Sequence, residues 1–177
     1  MISACCWSRR EVEMDEGAAF YAKQGTTYIV KLAGEIRYTM GCALADFLDG
    51  LFARADYDDI VVDITQTRSI DSTSLGLLAK IANFSRERFG RKTTLFSTNP
   101  DVNQLLETMG FYEIFDIRDT GETISETLRQ LAIEAPCKEE LTRIVFEAHR
   151  TLSELNPQNQ EVFKGVLDNL RAKLDPR

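Results

Sequence analysis

The stretch that most constrains the fold runs from Ile60 to Phe89. It opens on Ile60-Val61-Val62-Asp63-Ile64 and continues, after a polar interval, into Asp71-Ser72-Thr73-Ser74-Leu75. The β-branched run is too short for a helix and predicts a strand buried on both faces. Thr65 to Arg68 reads as a polar turn. Asp71, Ser72 and Thr73 are helix-initiating side chains set directly before Leu75, Leu77, Leu78 and Ile81. A buried strand therefore ends, a loop crosses, and a helix opens with a hydroxyl in its first turn. Such a helix end leaves backbone N–H groups unpaired and carries partial positive charge, so it favours an anionic group such as phosphate. In the ordinary case an Asp-Ser-Thr triplet only caps a helix, for about 0.5–2 kcal/mol. The alternative is that Ser72 accepts a phosphoryl group.

Around this centre the chain alternates. Ala18 to Ala22 and Thr27 to Leu32 read as a hairpin, with Tyr28, Val30 and Leu32 alternating against Thr27, Ile29 and Lys31. Gly34 to Arg37 is expected to leave the sheet. A helix starting at Thr39 or Gly41 carries Leu44, Phe47, Leu48 and Leu51 on one side. After the helix that follows Ser72, Gly90 stops the chain and Thr93 to Phe96 forms a strand. Asn99 and Pro100 open a helix that Gly110 closes. Phe111 to Ile117 reads as a strand, and Thr120 as the cap of a helix running to about Ala135. Strands alternating with helices predict α/β units with parallel pairing, and the first hairpin adds an antiparallel portion.

Three short motifs occur in order along this framework: Leu32-Ala33-Gly34-Glu35-Ile36, then Asp71-Ser72-Thr73-Ser74-Leu75-Gly76, then Ser97-Thr98-Asn99-Pro100-Asp101-Val102 followed by Met109-Gly110-Phe111. The central one resembles the Asp-Ser-Ser-Gly-Leu-Gly motif of bacterial anti-sigma factor antagonists, the founding group of the STAS domain. The likeness spans roughly residues 18 to 135. It implies an α/β fold with a mixed sheet of about five strands and helices mainly on one face. It also implies a protein-binding switch rather than an enzyme. In this family the serine after the aspartate is phosphorylated by an anti-sigma factor with serine kinase activity, and a PP2C-type phosphatase removes the phosphate. The unphosphorylated form binds the anti-sigma factor and frees the sigma factor.

Carried onto this sequence, the resemblance makes Ser72 the phosphoacceptor, with Thr73 and Ser74 as lesser candidates. The implied partner surface joins Gly34, Glu35 and Arg37 to Asp71, Ser72 and Thr73. Ser74, Leu75 and Gly76 complete it. Two positions depart from the family pattern. Ser74 stands where the family has glycine, which puts a Cβ where a partner approaches. Arg37 stands where the family has an acidic residue, and is either a phosphate-stabilising cation or a solvated side chain. A signalling adaptor and a small-ligand-sensing STAS module are the alternative readings.

Composition narrows the rest. The net charge of −7 supplies no broad phosphate-neutralising face, which argues against nucleic-acid binding. His149 is the one histidine, leaving little material for a histidine metal cluster or a Ser/His catalytic pair. Asp63, Asp71 and Glu35 lack a convergent nucleophile or metal set, so no cofactor is expected. Cys5, Cys6, Cys42 and Cys137 contain no Cys-x-x-Cys pair and read as reduced thiols of a cytoplasmic protein. No segment approaches the length of a membrane span. Residues 1–17 form an irregular leader expected to be disordered, with Met14 a candidate start.

Past Pro136 the pattern changes. Leu141, Ile144, Val145, Ala148, Leu152 and Leu155 lie along one side of a helix, and Val162, Phe163, Val166, Leu167 and Leu170 along a second. A break at Asn156-Pro157 makes these an αα-hairpin. Residues 138–177 hold seven acidic and seven basic side chains, so the net charge resides on the preceding part. The expected organisation is a leader over 1–17, a STAS domain over 18–136 and a helical extension over 137–177. The apolar stripes must cover the domain itself, a second copy or a partner, and the completeness of the domain's motifs inclines the expectation towards the last two.

Overall fold

The computed structural model describes residues 17–119, 127–133 and 138–175. Strand β1 (Ala18–Gln24) turns back into β2 (Thr27–Ile36), and a 3-10 turn at Tyr38–Met40 leads into α1 (Gly41–Phe52). Strand β3 (Asp59–Ile70) is followed by α2 (Ser72–Phe89), β4 (Thr93–Phe96), α3 (Pro100–Thr108) and the single turn α4 (Phe111–Ile114). Then come β5 (Phe115–Arg118), β6 (Arg129–Gln130), α5 (Lys138–Ser153) and α6 (Pro157–Leu174). Among the described residues the sheet has six strands in the order β5-β4-β3-β2-β1-β6. β1 is antiparallel to both its neighbours, while β2, β3, β4 and β5 pair in parallel. This is the mixed α/β architecture expected, with one strand more.

That extra strand corrects part of the reading of the sequence. Arg129–Gln130, placed by periodicity in a helix from Thr120 to Ala135, instead pairs with β1, and the Leu131 N–H donates to the Ala19 carbonyl at 2.9 Å. Residues 120–126 and 134–137 lie outside the described residues, as do 1–16. Phe111–Ile114, read as the start of a strand, is a helical turn: Gly110 enters it at φ 79°, and Phe111 and Ile114 turn into the core. Strand β3 does not end at Ile64. Thr65 to Arg68 stays extended because β2 continues beside it, so Gly34 to Ile36 also remains in the sheet.

Burial along β3 has period two, not the two-faced burial expected. Ile60, Val62 and Ile64 are fully buried with Leu44, Leu48, Leu75, Leu78 and Ile81, whereas Val61 is half-buried and Asp63 pairs with Lys31 at 3.2 Å. The helices cover the first of these faces, and an ion pair occupies the second.

The C-terminal hairpin docks in cis. Ile144, Leu152 and Phe163 belong to the same apolar core cluster as the sheet and α2. This corrects the leaning towards a second copy or partner: the stripe of α5 is spent on the chain's own α1 and α2. The buried Asn159 fixes the far end, its Nδ2 donating to the Met109 and Leu152 carbonyls at 3.0 Å each. Asn159→Leu leaves both acceptors without that donor and is expected to cost about 1–3 kcal/mol. Urea unfolding measures it, and a change under about 0.5 kcal/mol, the range of a featureless surface site, would contradict the anchoring role.

Candidate functional site

The site is built where the three motifs meet. Gly34 adopts φ 79°, a left-handed conformation that glycine takes without strain, between two register shifts in the β2–β3 pairing. The irregularity lets β2 follow the longer β3 to its end, so that Gly34 pairs with Thr67, Glu35 with Ser69 and Ile36 with Ile70. Asp71 then ties the two motifs together. Its N–H donates to the Ile36 carbonyl at 3.1 Å. Its carboxylate accepts from the Ser74 N–H at 2.9 Å, the N-cap of α2, and from the Tyr38 N–H. The third motif holds the same strand end from the other side. Asn99 caps α3 by accepting from the Asp101 N–H, and its Nδ2 donates to the carbonyls of Thr67 and Arg68 at 3.2 and 3.1 Å.

Ser72 is the first residue of α2 and is half-buried, whereas Thr73 and Ser74 are 4 % and 1 % exposed. Leu75 faces the core, and Gly34 and Gly76 are also buried. The rim carries the charge. Arg37 is exposed, and its guanidinium meets the Glu35 carboxylate at 2.6 Å. The Glu35 carboxylate, through its hydrogen bond first and its charge second, pushes the Arg37 pKa above its ordinary value. Arg37 therefore points its charge at Glu35 and solvent in this state. Tyr38, half exposed beside the site, is a rim residue the motifs did not single out.

The residue that sequence reasoning missed is His149. Its Nε2 lies 2.9 Å from Ser72 Oγ, and its Nδ1 lies 2.7 Å from the Val145 carbonyl. A carbonyl can only accept, so Nδ1 carries a hydrogen, and in that tautomer Nε2 offers its lone pair to the Ser72 hydroxyl. The ring is held edge-on against Phe163 at 5.2 Å between centroids and is 6 % exposed. Next to it, Gly76 meets Ala148 so closely that a Cβ there would sit 2.3 Å from the Ala148 carbonyl oxygen and 2.6 Å from its Cα. The backbones of α2 and α5 are thus in direct contact one turn beyond Ser72. The signal available in the sequence was the placement of Ala148-His149 on the apolar stripe of α5.

A six-stranded mixed sheet with a hydroxyl at the head of the helix after its central strand defines the class, and the STAS domain family model matches residues 19–129. The chain belongs to the STAS domain family. Among solved structures it is similar to an anti-sigma factor antagonist from Mycobacterium paratuberculosis. The identity is 19 %, over 60 % of this chain and 88 % of that one, with a TM-score of 0.50, so the likeness is one of fold. No curated protein matches the chain at a significant level. The family match ends at residue 129, so α5 and α6 lie outside the matched region. Among the described residues, no helix is long and apolar enough to cross a membrane.

Proposed function

We propose that this chain is an anti-sigma factor antagonist controlled by phosphorylation of Ser72. What supports the reading is the position of that hydroxyl: at the head of α2, with Asp71 capping the helix beside it and the neighbouring Thr73 and Ser74 buried. The unphosphorylated form binds an anti-sigma factor with serine kinase activity and releases a sigma factor in the cytoplasm. That kinase transfers the γ-phosphoryl of ATP to Ser72 Oγ. The new Oγ–P bond replaces the bond to ADP, and the hydroxyl proton passes to the kinase's base. A PP2C-type phosphatase reverses the modification by hydrolysis. In this account the chain is the substrate of both enzymes and catalyses neither step.

Electrostatics gives the switch its size. Phosphorylation adds about −1.5 to −2 charges beside Asp71. Two unit charges about 6 Å apart interact by about 0.7 kcal/mol in water and about 3 kcal/mol at an effective dielectric of 20. A phosphate pressed against an acidic or desolvated partner face therefore loses several kcal/mol of binding. The end of α2 itself favours the anion by about 0.3–1 kcal/mol, so the domain keeps its fold. The switch acts by blocking an interface.

A pull-down from the native cells with wild type, Ser72→Ala and Ser72→Asp, read by mass spectrometry, tests the reading. The expected result is one anti-sigma factor recovered with wild type and Ser72→Ala and lost with Ser72→Asp. Equal recovery of the same partner with all three, and with protein phosphorylated at Ser72, would overturn it.

A further inference from the structure

We propose that the α5–α6 hairpin is a cis occupant of the partner-binding face, so that α5 must leave α2 before Ser72 is phosphorylated or an anti-sigma factor engages. This occlusion presupposes the reading of Ser72 as phosphoacceptor, and it adds a layer of regulation that the matched family region does not contain.

Two independent contacts place α5 there. At Ser72, the hydroxyl is engaged by His149 Nε2 across 2.9 Å, a gap that holds one hydrogen. A phosphoryl group brings a phosphorus and three further oxygens into the same gap, against a ring that Val145 and Phe163 hold in place. At Gly76, the approach of the Ala148 backbone leaves no room for a side chain, so no partner atom fits between the helices either. The docked hairpin, with His149 on Ser72 Oγ and Ala148 on Gly76, therefore competes with phosphate on Ser72 and with a partner reaching the Gly76 face. Displacement takes Ile144, Leu152 and Phe163 out of the shared apolar cluster, while its other buried members, from Ala19 to Phe115, all precede the hairpin and stay together around the sheet.

The surface that α5 covers suits a helix with a small residue at its point of closest approach. Ala148 supplies that residue in cis, with Ile144 and Leu152 one turn away on each side, both buried. An anti-sigma factor competing for the same face has to present comparably small, apolar features opposite Gly76. Binding and hairpin docking are then alternatives, and the affinity measured for the full chain is reduced by the fraction of time the hairpin is docked.

Two measurements on the full chain test this without the partner. In the first, phosphoserine is incorporated at position 72 by codon reassignment, and hydrogen exchange is followed by mass spectrometry. The expected result is at least about tenfold faster exchange across α5 and α6, with β2 and β3 unchanged. Protection of α5 equal to that of the unmodified protein would overturn the proposal. In the second, Ser72→Cys is treated with a maleimide, and modification at that position is read by peptide mapping, alone and combined with Leu152→Asp. Leu152 lies on α5 and is fully buried against the domain, so a carboxylate there forces α5 away. The thiol at position 72 is expected to react at least about tenfold faster in the combined variant, and equal rates would overturn the occlusion. If exchange shows that Leu152→Asp also disturbs β2 and β3, Ala148→Trp, whose bulk meets Gly76, replaces it and decides the same question. A failure here leaves Ser72 standing as the switch, while loss of the Ser72 switch in the pull-down leaves these two results unaffected.

Discussion

Phosphorylation of Ser72 is expected to weaken binding to the anti-sigma factor by about a hundredfold to a thousandfold, the equivalent of about 3–4 kcal/mol. The cause is local: a dianion placed beside Asp71 on a surface the partner has to desolvate. Ser72→Asp should reproduce the direction with a smaller effect, since it brings one charge where phosphate brings nearly two. Ser72→Ala should bind about as well as wild type. It removes the hydrogen bond to His149, worth about 1 kcal/mol, so its melting temperature should stay within a few degrees. Isothermal titration with the purified partner measures all four forms. Phosphorylated protein binding as tightly as unmodified protein would sink the interface-blocking mechanism, whatever the carboxylate variant does.

Deletion of residues 138–177 carries the largest expected effect on stability. Ile144, Leu152 and Phe163 are buried against the domain, each contributing about 1.5–3 kcal/mol of gross burial. Their loss also opens the neighbouring faces of α1 and α2 to water. A melting temperature lower by about 10 °C or more is expected, since each kcal/mol moves the midpoint by about 2–4 °C in a chain of this size. The truncated domain should still fold and still accept phosphate at Ser72, but self-associate through the uncovered surface. Light scattering beside the thermal melt reads this. A truncated domain that is monodisperse and melts like the full chain would mean that docking contributes nothing. One that cannot fold would make the hairpin part of the domain itself.

The parts of this account that were legible in the sequence are those set by local pattern. The strands begun by the apolar runs at Ile60 and Leu95, the cap at Asp71 and the glycine stop at Gly90 each act within a few residues and lie where expected, although β3 runs on past Ile64 and buries one face more fully than the other. The misreadings share a cause. Thr65 to Arg68 is polar and turn-like alone, yet extended because a bulged β2 pairs with it from more than thirty residues away. Arg129–Gln130 is a strand only because β1 offers it an edge. The hairpin shows the same limit at larger scale. Its stripes declared that something covers them, but the fit of Ala148 to Gly76 is a property of two distant helices. His149 argued against Ser/His chemistry by being alone, while the fold sets it against the one hydroxyl that the motif singles out.

The most direct test of the central claim is phosphopeptide mapping after incubation of the full chain with its recovered anti-sigma factor kinase and ATP. Phosphate on Ser72, absent from Ser72→Ala and not redistributed to its neighbours, is the result this account predicts. Phosphate mainly on the buried Thr73 or Ser74, or none in this segment, would contradict it.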